Sequence, residues 1–237
     1  MRALAIDTST ETAGVALCDG AVCAARTASG ANAASLAAPG QHGERLLGII
    51  DALLHEAEWK RRDLELVACC LGPGSFTGVR VGLATAKGIA LALGLPIVGV
   101  GSLEVMASLH FARLGATAQS DEGAVALLDA RKGEVFWAAY ASDGALIAGP
   151  GHVAAVQIGD IRGRIARPKL TFLGEVARRL PLDPAHIATA PETDRPDPVH
   201  LARLGMAMFE RRGPDDLDAL EPTYVRPPDI TLPAGSS

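Results

Sequence analysis

Apolar positions along the chain follow two rhythms. Runs at 3–6, 13–18, 21–25, 66–71, 97–100, 124–128, 134–140 and 170–173 are short and nearly continuous, as strands covered on one or both faces should be. Elsewhere the apolar positions recur three and four apart. Leu46, Leu47, Ile50, Leu53 and Leu54 predict a helix within 41–57, and the spacing predicts further helices at 79–94, 102–114 and 199–212.

Turn residues mark the joints. Asp19-Gly20 is a two-residue hairpin signal, and Asp143-Gly144 marks another turn. Gly94 followed by Pro96 closes the second helix, and Gly213-Pro214 stops the last. Segment 149–168 is weakly patterned, with one short helix; 175–180 reads as another. Five prolines make 181–198 an irregular connection. The order β-β-β-α-β-α-β-α, then β-β and mixed elements, predicts sheets of mixed strand direction flanked by helices. The second half reads as a smaller, degraded repeat of the first. Residues 1–103 form the expected N-terminal subdomain, with helix 199–212 able to pack back on it. Residues 104–198 form a smaller one, and 213–237 an extended, partly mobile tail, with 221–226 fully extended.

The centre of the chain is a buried strand, the tight turn GPGSFTG at 72–78, and the helix after it. Pro73 lacks a donor and its flanking glycines permit positive φ, so the strand must end there. Ser75 or Thr77 can cap the helix. Gly78, Gly82, Ala86 and Ala90 fall four apart in one stripe of small side chains, and Ala84, Gly88 and Ala92 form a second. Glycine costs about 1 kcal/mol in a helix interior, so a close backbone approach is expected, by the chain's own sheet or by a partner.

Composition narrows the class. Apolar residues make up 49% of the 237 but aromatics only 4%, so the core is expected to use small side chains at close spacing. A net charge of −5 argues against gripping nucleic acid alone through a broad basic surface, though not as part of a complex. Cys18, Cys23, Cys69 and Cys70 form no CxxC pair and read as reduced thiols of a cytoplasmic protein. The start reaches Asp7 too soon for a signal peptide. Every long apolar stretch carries a charge or a proline, so no membrane span is expected.

Few residues spell chemistry. The glycine turn lacks the spacing of a Walker loop or of GxGxxG, and it is not a GxSxG nucleophile elbow. No two of the six histidines lie three to five apart, which disfavours a zinc site. Asp7, Thr8 and Ser9 follow the first strand directly. Such a turn can hold Mg²⁺ through water and phosphate through hydroxyl and backbone groups, and ordinary turn chemistry explains it equally. Arg131 and Lys132, in the turn DARKG at 129–133, can bind an anion or a partner, or simply keep a hairpin tip in water.

AIDTST at 5–10, HGERLL at 42–47, GPGSFTGVRVG at 72–82, AKGIA at 86–90, GSLE at 101–104, LDARKGEVFW at 128–137 and EPTYVR at 221–226 together resemble the TsaB (YeaZ) family. They run in family order over nearly the whole chain, and GPGSFTG is the most specific of them. The resemblance implies an actin-like ATPase fold of the sugar kinase/Hsp70 type, ribonuclease H-like, with two subdomains. It implies a non-catalytic role in making threonylcarbamoyladenosine next to the anticodon of tRNAs that read codons beginning with A. A TsaD catalytic subunit would be the partner, a TsaE ATPase would join, and the chain alone would homodimerise through the same surface. ATP and Mg would belong to the complex, with no cofactor of the chain's own and tRNA met only within the complex. The implied interface comprises His42, Leu46, Ser75, Phe76, Thr77, Gly78, Gly82, Ala86 and Ala90. The competing expectation is an active ATP-dependent phosphotransferase of the same fold, with Mg²⁺-ATP at Asp7 and a second acidic glycine-rich turn, for which 129–133 is the best candidate.

Overall fold

The computed structural model describes residues 1–28, 42–165, 167–188 and 190–226. Two mixed sheets organise it. The first has the order β3-β2-β1-β4-β5, from β1 (Arg2–Asp7), β2 (Ala13–Asp19), β3 (Val22–Ala28), β4 (Leu66–Cys70) and β5 (Ile97–Val100). The second has the order β8-β7-β6-β9, from β6 (Glu122–Arg131), β7 (Glu134–Ala141), β8 (Leu146–Ala154) and β9 (Lys169–Leu173). In each, a three-stranded antiparallel meander is extended by a parallel strand beside its first member: β4 beside β1, and β9 beside β6. The second sheet thus repeats the first with one strand fewer.

Strand alternation assigns each face its helices. Leu4, Ile6, Val67 and Cys69 point toward α1 (His42–Glu56) and α2 (Phe76–Leu93). Ala3, Ala5, Ala16 and Ala68 point the other way, toward α5 (Pro198–Arg212). Alanine on that face lets α5 sit close: a methyl group added at Gly205 would lie 2.6 Å from Ala68 Cβ. This is how a core with few aromatics closes. Against the second sheet, α3 (Ser102–Leu114) packs through Leu103, Met106 and Phe111. The opposite face is covered by α4 (Ile158–Arg164) through Ile158 and Ile161. His200 Nε2 on α5 and Ser108 Oγ on α3 lie 3.0 Å apart, which joins the two inner helices.

Four expectations change. Strand β8 runs into the start of the weakly patterned stretch, ahead of the expected short helix, which is α4. Cys18 and Cys23 are bonded to each other, whereas Cys69 and Cys70 are free and buried. The hairpin loop is Gly20-Ala21, one residue beyond the expected Asp19-Gly20, and this register sets Cys18 opposite Cys23. Residues 215–226 turn at 217–219, bend at 225–226 and are bonded along their length to both sheets, whereas 227–237 fall outside the described residues. By length and composition, α2 is long and apolar enough to cross a membrane, although it carries Arg80 and Lys87. Its Val79, Gly82, Leu83, Ala86 and Ala90 face is buried in the chain's own core.

Candidate functional site: the interlobe cleft and the outer face of α2

The repeat brings two hairpin tips face to face. The β1–β2 tip carries Thr8 to Glu11, the β6–β7 tip carries Asp129 to Lys132, and both line a cleft of about 1020 Å³ between the sheets. Each tip is built the same way. Asp7 Oδ1 accepts from Ser9 N at 2.9 Å, and Asp129 Oδ1 accepts from Arg131 N at 2.7 Å. In both, the aspartate at the strand end closes its own turn, as Asx turns do. Arg131 and Glu11 form an ion pair across the cleft, which holds the Glu11 carboxyl below the usual range.

Asp7 does not line this cleft; it borders a smaller pocket of about 290 Å³ with Thr10, Thr12 and Arg195. It is 2% exposed, and burial raises its pKa against the pull of the Ser9 donors and the Cys70 thiol. Burial likewise pushes the Cys69 thiol up to about 12 and raises Cys70 well above its ordinary value, so neither is a nucleophile. Among the described residues no group of three His, Cys, Asp or Glu side chains could hold a metal ion.

The glycine turn is locked onto the Asp7 turn. Ser75 N donates to Ser9 O at 2.7 Å, and Thr8 Oγ1 donates to Gly78 O at 2.6 Å. Methyl groups added at Gly74, Gly78 or Gly82 would run into Ser9 O, Thr8 O and Thr8 Oγ1 respectively. The tightness that required glycine is therefore internal. Ser75 is the N-cap of α2, its Oγ accepting from Gly78 N at 3.2 Å. On the other side of the turn, Ser102 Oγ donates to Pro73 O at 2.5 Å, so the start of α3 holds it as well.

The implied interface residues divide. Ser75, Phe76 and Thr77 are exposed at the start of α2. Leu46, Gly82, Ala86 and Ala90 are buried within the chain and Gly78 half-buried, so the first small stripe cannot be an outer surface. His42 opens α1, and its side chain lies outside the described residues. The second stripe is the one that faces out. Ala84, Gly88 and Ala92 are exposed beside Leu91, which is 73% exposed, and nothing lies within 4 Å of a methyl group added at Gly88. Leu47 is exposed on the neighbouring α1. Both stripes are legible in the sequence; which one turns outward is set by tertiary packing.

A sequence model of the family described as TsaD, tRNA N6-adenosine threonylcarbamoyltransferase, matches residues 36–164, more than half of the chain. The tRNA threonylcarbamoyladenosine biosynthesis protein TsaB of Escherichia coli is 41% identical over 144 residues. The chain belongs to this family, on its TsaB (YeaZ) side. The E. coli match covers 60% of this chain and 56% of that protein, little more than half its length. An uncharacterized protein of Mycobacterium tuberculosis is 32% identical over 192 residues, 79% of this chain and 76% of its own. The solved structure of YeaZ from Pseudomonas aeruginosa superposes with a TM-score of 0.72 at 26% identity, covering 94% of this chain and 99% of that one. The fold is therefore the actin-like one, in two mixed sheets flanked by helices.

Proposed function

We propose that the protein is a non-catalytic subunit of the cytoplasmic assembly that attaches a threonylcarbamoyl group to adenosine in tRNA. It holds a TsaD-type catalytic subunit against the outer face of α1 and α2, with a TsaE-type ATPase joining the pair. Alone, it homodimerises through the same face. ATP and Mg²⁺ serve the assembly rather than this chain, and tRNA is met only within it.

The observation that carries this reading is the outward stripe of Ala84, Gly88 and Ala92 flanked by Leu91. A smooth helix face with an exposed leucine admits a second helix at short distance, and a self-complementary face of this kind suits a twofold dimer. The phosphotransferase alternative needs an accessible carboxylate at the end of β1. The Asp7 carboxyl is instead buried and already accepts the Ser9 N–H. Its counterpart Asp129 closes a turn that goes on, past Ala130, to the basic Arg131 and Lys132.

The test is size-exclusion chromatography with light scattering, with the chain alone and mixed with the TsaD-type subunit of the same organism. Gly88→Arg is expected to elute as a monomer and to fail to co-elute with the partner, with an unfolding midpoint near that of the wild type. Normal pairing by Gly88→Arg would overturn the placement of the interface.

A further inference from the structure

After α5 the chain does not leave the molecule. Asp215 N donates to Ile97 O at 2.9 Å while its Oδ2 accepts from Gly99 N at 2.8 Å, so the segment starts along the free edge of β5. Leu217 and Leu220 pack on the first core, and Lys87 Nζ on α2 donates to Leu220 O at 3.2 Å. Thr223 N donates to Leu71 O at 2.7 Å, at the mouth of the glycine turn. Tyr224 then meets the outer start of α2. Its hydroxyl accepts from Arg80 Nε at 2.8 Å, its ring lies 5.3 Å from that of Phe76, and the Arg80 guanidinium sits 4.4 Å from the Phe76 centroid. Two residues on, the segment has crossed to the second sheet. Val225 O lies 3.2 Å from His152 Nδ1 on β8, and Arg226 Nη1 reaches Glu134 Oε2 at 3.0 Å and Ala130 O at 3.1 Å on the β6–β7 hairpin.

We infer that residues 215–226 are a strap that couples the outer start of α2 to the β6–β7 hairpin and so sets the width of the interlobe cleft. Among the described residues, ties across that cleft include the Arg131–Glu11 pair, Arg195 bridging Thr12 to Glu175, and the strap's Arg226–Glu134 pair, and their exposure ranks them. Arg131 and Glu11 are 64% and 69% exposed, so water screens their pair. Arg226 and Glu134 are 19% and 32% exposed, and Arg226 also bonds a backbone carbonyl. The strap is therefore the firmest of these ties. A change at Arg80 or Phe76 reaches Ala130 and Glu134 through only three residues, Tyr224 to Arg226. The cleft-lining tip at 129–133 thus responds to events on α2 that never touch it.

The inference needs no partner, so it is tested on the chain alone, apart from the proposed function. Hydrogen exchange is followed by mass spectrometry for wild type, Arg80→Gln, Arg226→Gln and Arg226→Lys. Each glutamine variant is expected to speed exchange about threefold or more at the far end of the strap. Arg80→Gln acts on 128–136 and Arg226→Gln on 72–80, while α1 exchanges as in the wild type. Arg226→Lys, which keeps the charge toward Glu134, restores most of the protection. Faster exchange confined to the neighbourhood of each substitution would overturn the coupling. So would a uniform rise that includes α1, because the residues would then only support the fold.

Discussion

At the scale of single residues, Asp7 decides between the two readings of this fold. A carboxylate at the end of the first strand suits a cation site, but here one oxygen is taken by the Ser9 N–H and the side chain is 2% exposed. Burial raises its folded-state pKa above that of the unfolded chain, despite the Ser9 donors. The folded state thus binds this proton more tightly than the unfolded chain does. Its favourable contribution is fully present below the unfolded carboxyl pKa and is lost as pH rises through the raised one. Asp7→Asn keeps an oxygen for Ser9 N and removes the charge. In melts followed by circular dichroism, it is expected to unfold a few degrees above the wild type at about pH 7.5, with the gap narrowing toward about pH 4. A variant that melts lower at neutral pH would show that the ionised carboxylate stabilises the fold.

At the scale of elements, α2 carries two glycines with opposite duties. Gly82 faces Thr8 Oγ1, and a methyl group there must displace a buried, hydrogen-bonded side chain. Gly82→Ala is expected to cost about 1–3 kcal/mol in urea denaturation, in the range of overpacked cores. Gly88 faces open space, so Gly88→Ala should stabilise by up to about 1 kcal/mol through helix propensity alone. Equal effects at the two sites would contradict the orientation of the helix. The sequence disclosed both glycines and the helix holding them, because four-residue spacing and the flanking turn are local signals. It could not disclose which stripe faced the sheet, because both are small and apolar. Strand β8 escaped for a related reason. Gly149-Pro150-Gly151 breaks its period, and the pairing shifts register there between Trp137 and Ala139; an edge strand tolerates that and a central strand does not. The Cys18–Cys23 bond escaped because a one-residue shift of the β2–β3 loop changes which cysteine faces which residue.

At the scale of the whole molecule, the fold is a duplicated meander with two facing tips, and neither tip presents a free carboxylate pair to the cleft. Both aspartates serve their own turns, the glycine turn is filled by the chain's own backbone, and the strap crosses the cleft mouth. Outside the cleft, the outer face of α2 stays accessible. The architecture and the glycine turn were legible in the residues, since each rests on local pattern. The strap was not, because its twelve residues are held by contacts to distant strands that no local rhythm announces. The measurement that bears most directly on a supporting rather than catalytic role is the yield of threonylcarbamoyladenosine in tRNA. It is followed in a reconstituted reaction containing the TsaD-type and TsaE-type subunits, with this chain omitted, present as wild type, or present as Asp7→Asn. The account predicts little product without the chain and equal yields from wild type and Asp7→Asn. Loss of product with Asp7→Asn, in a variant that still binds its partner, would contradict it and make the buried aspartate part of the chemistry.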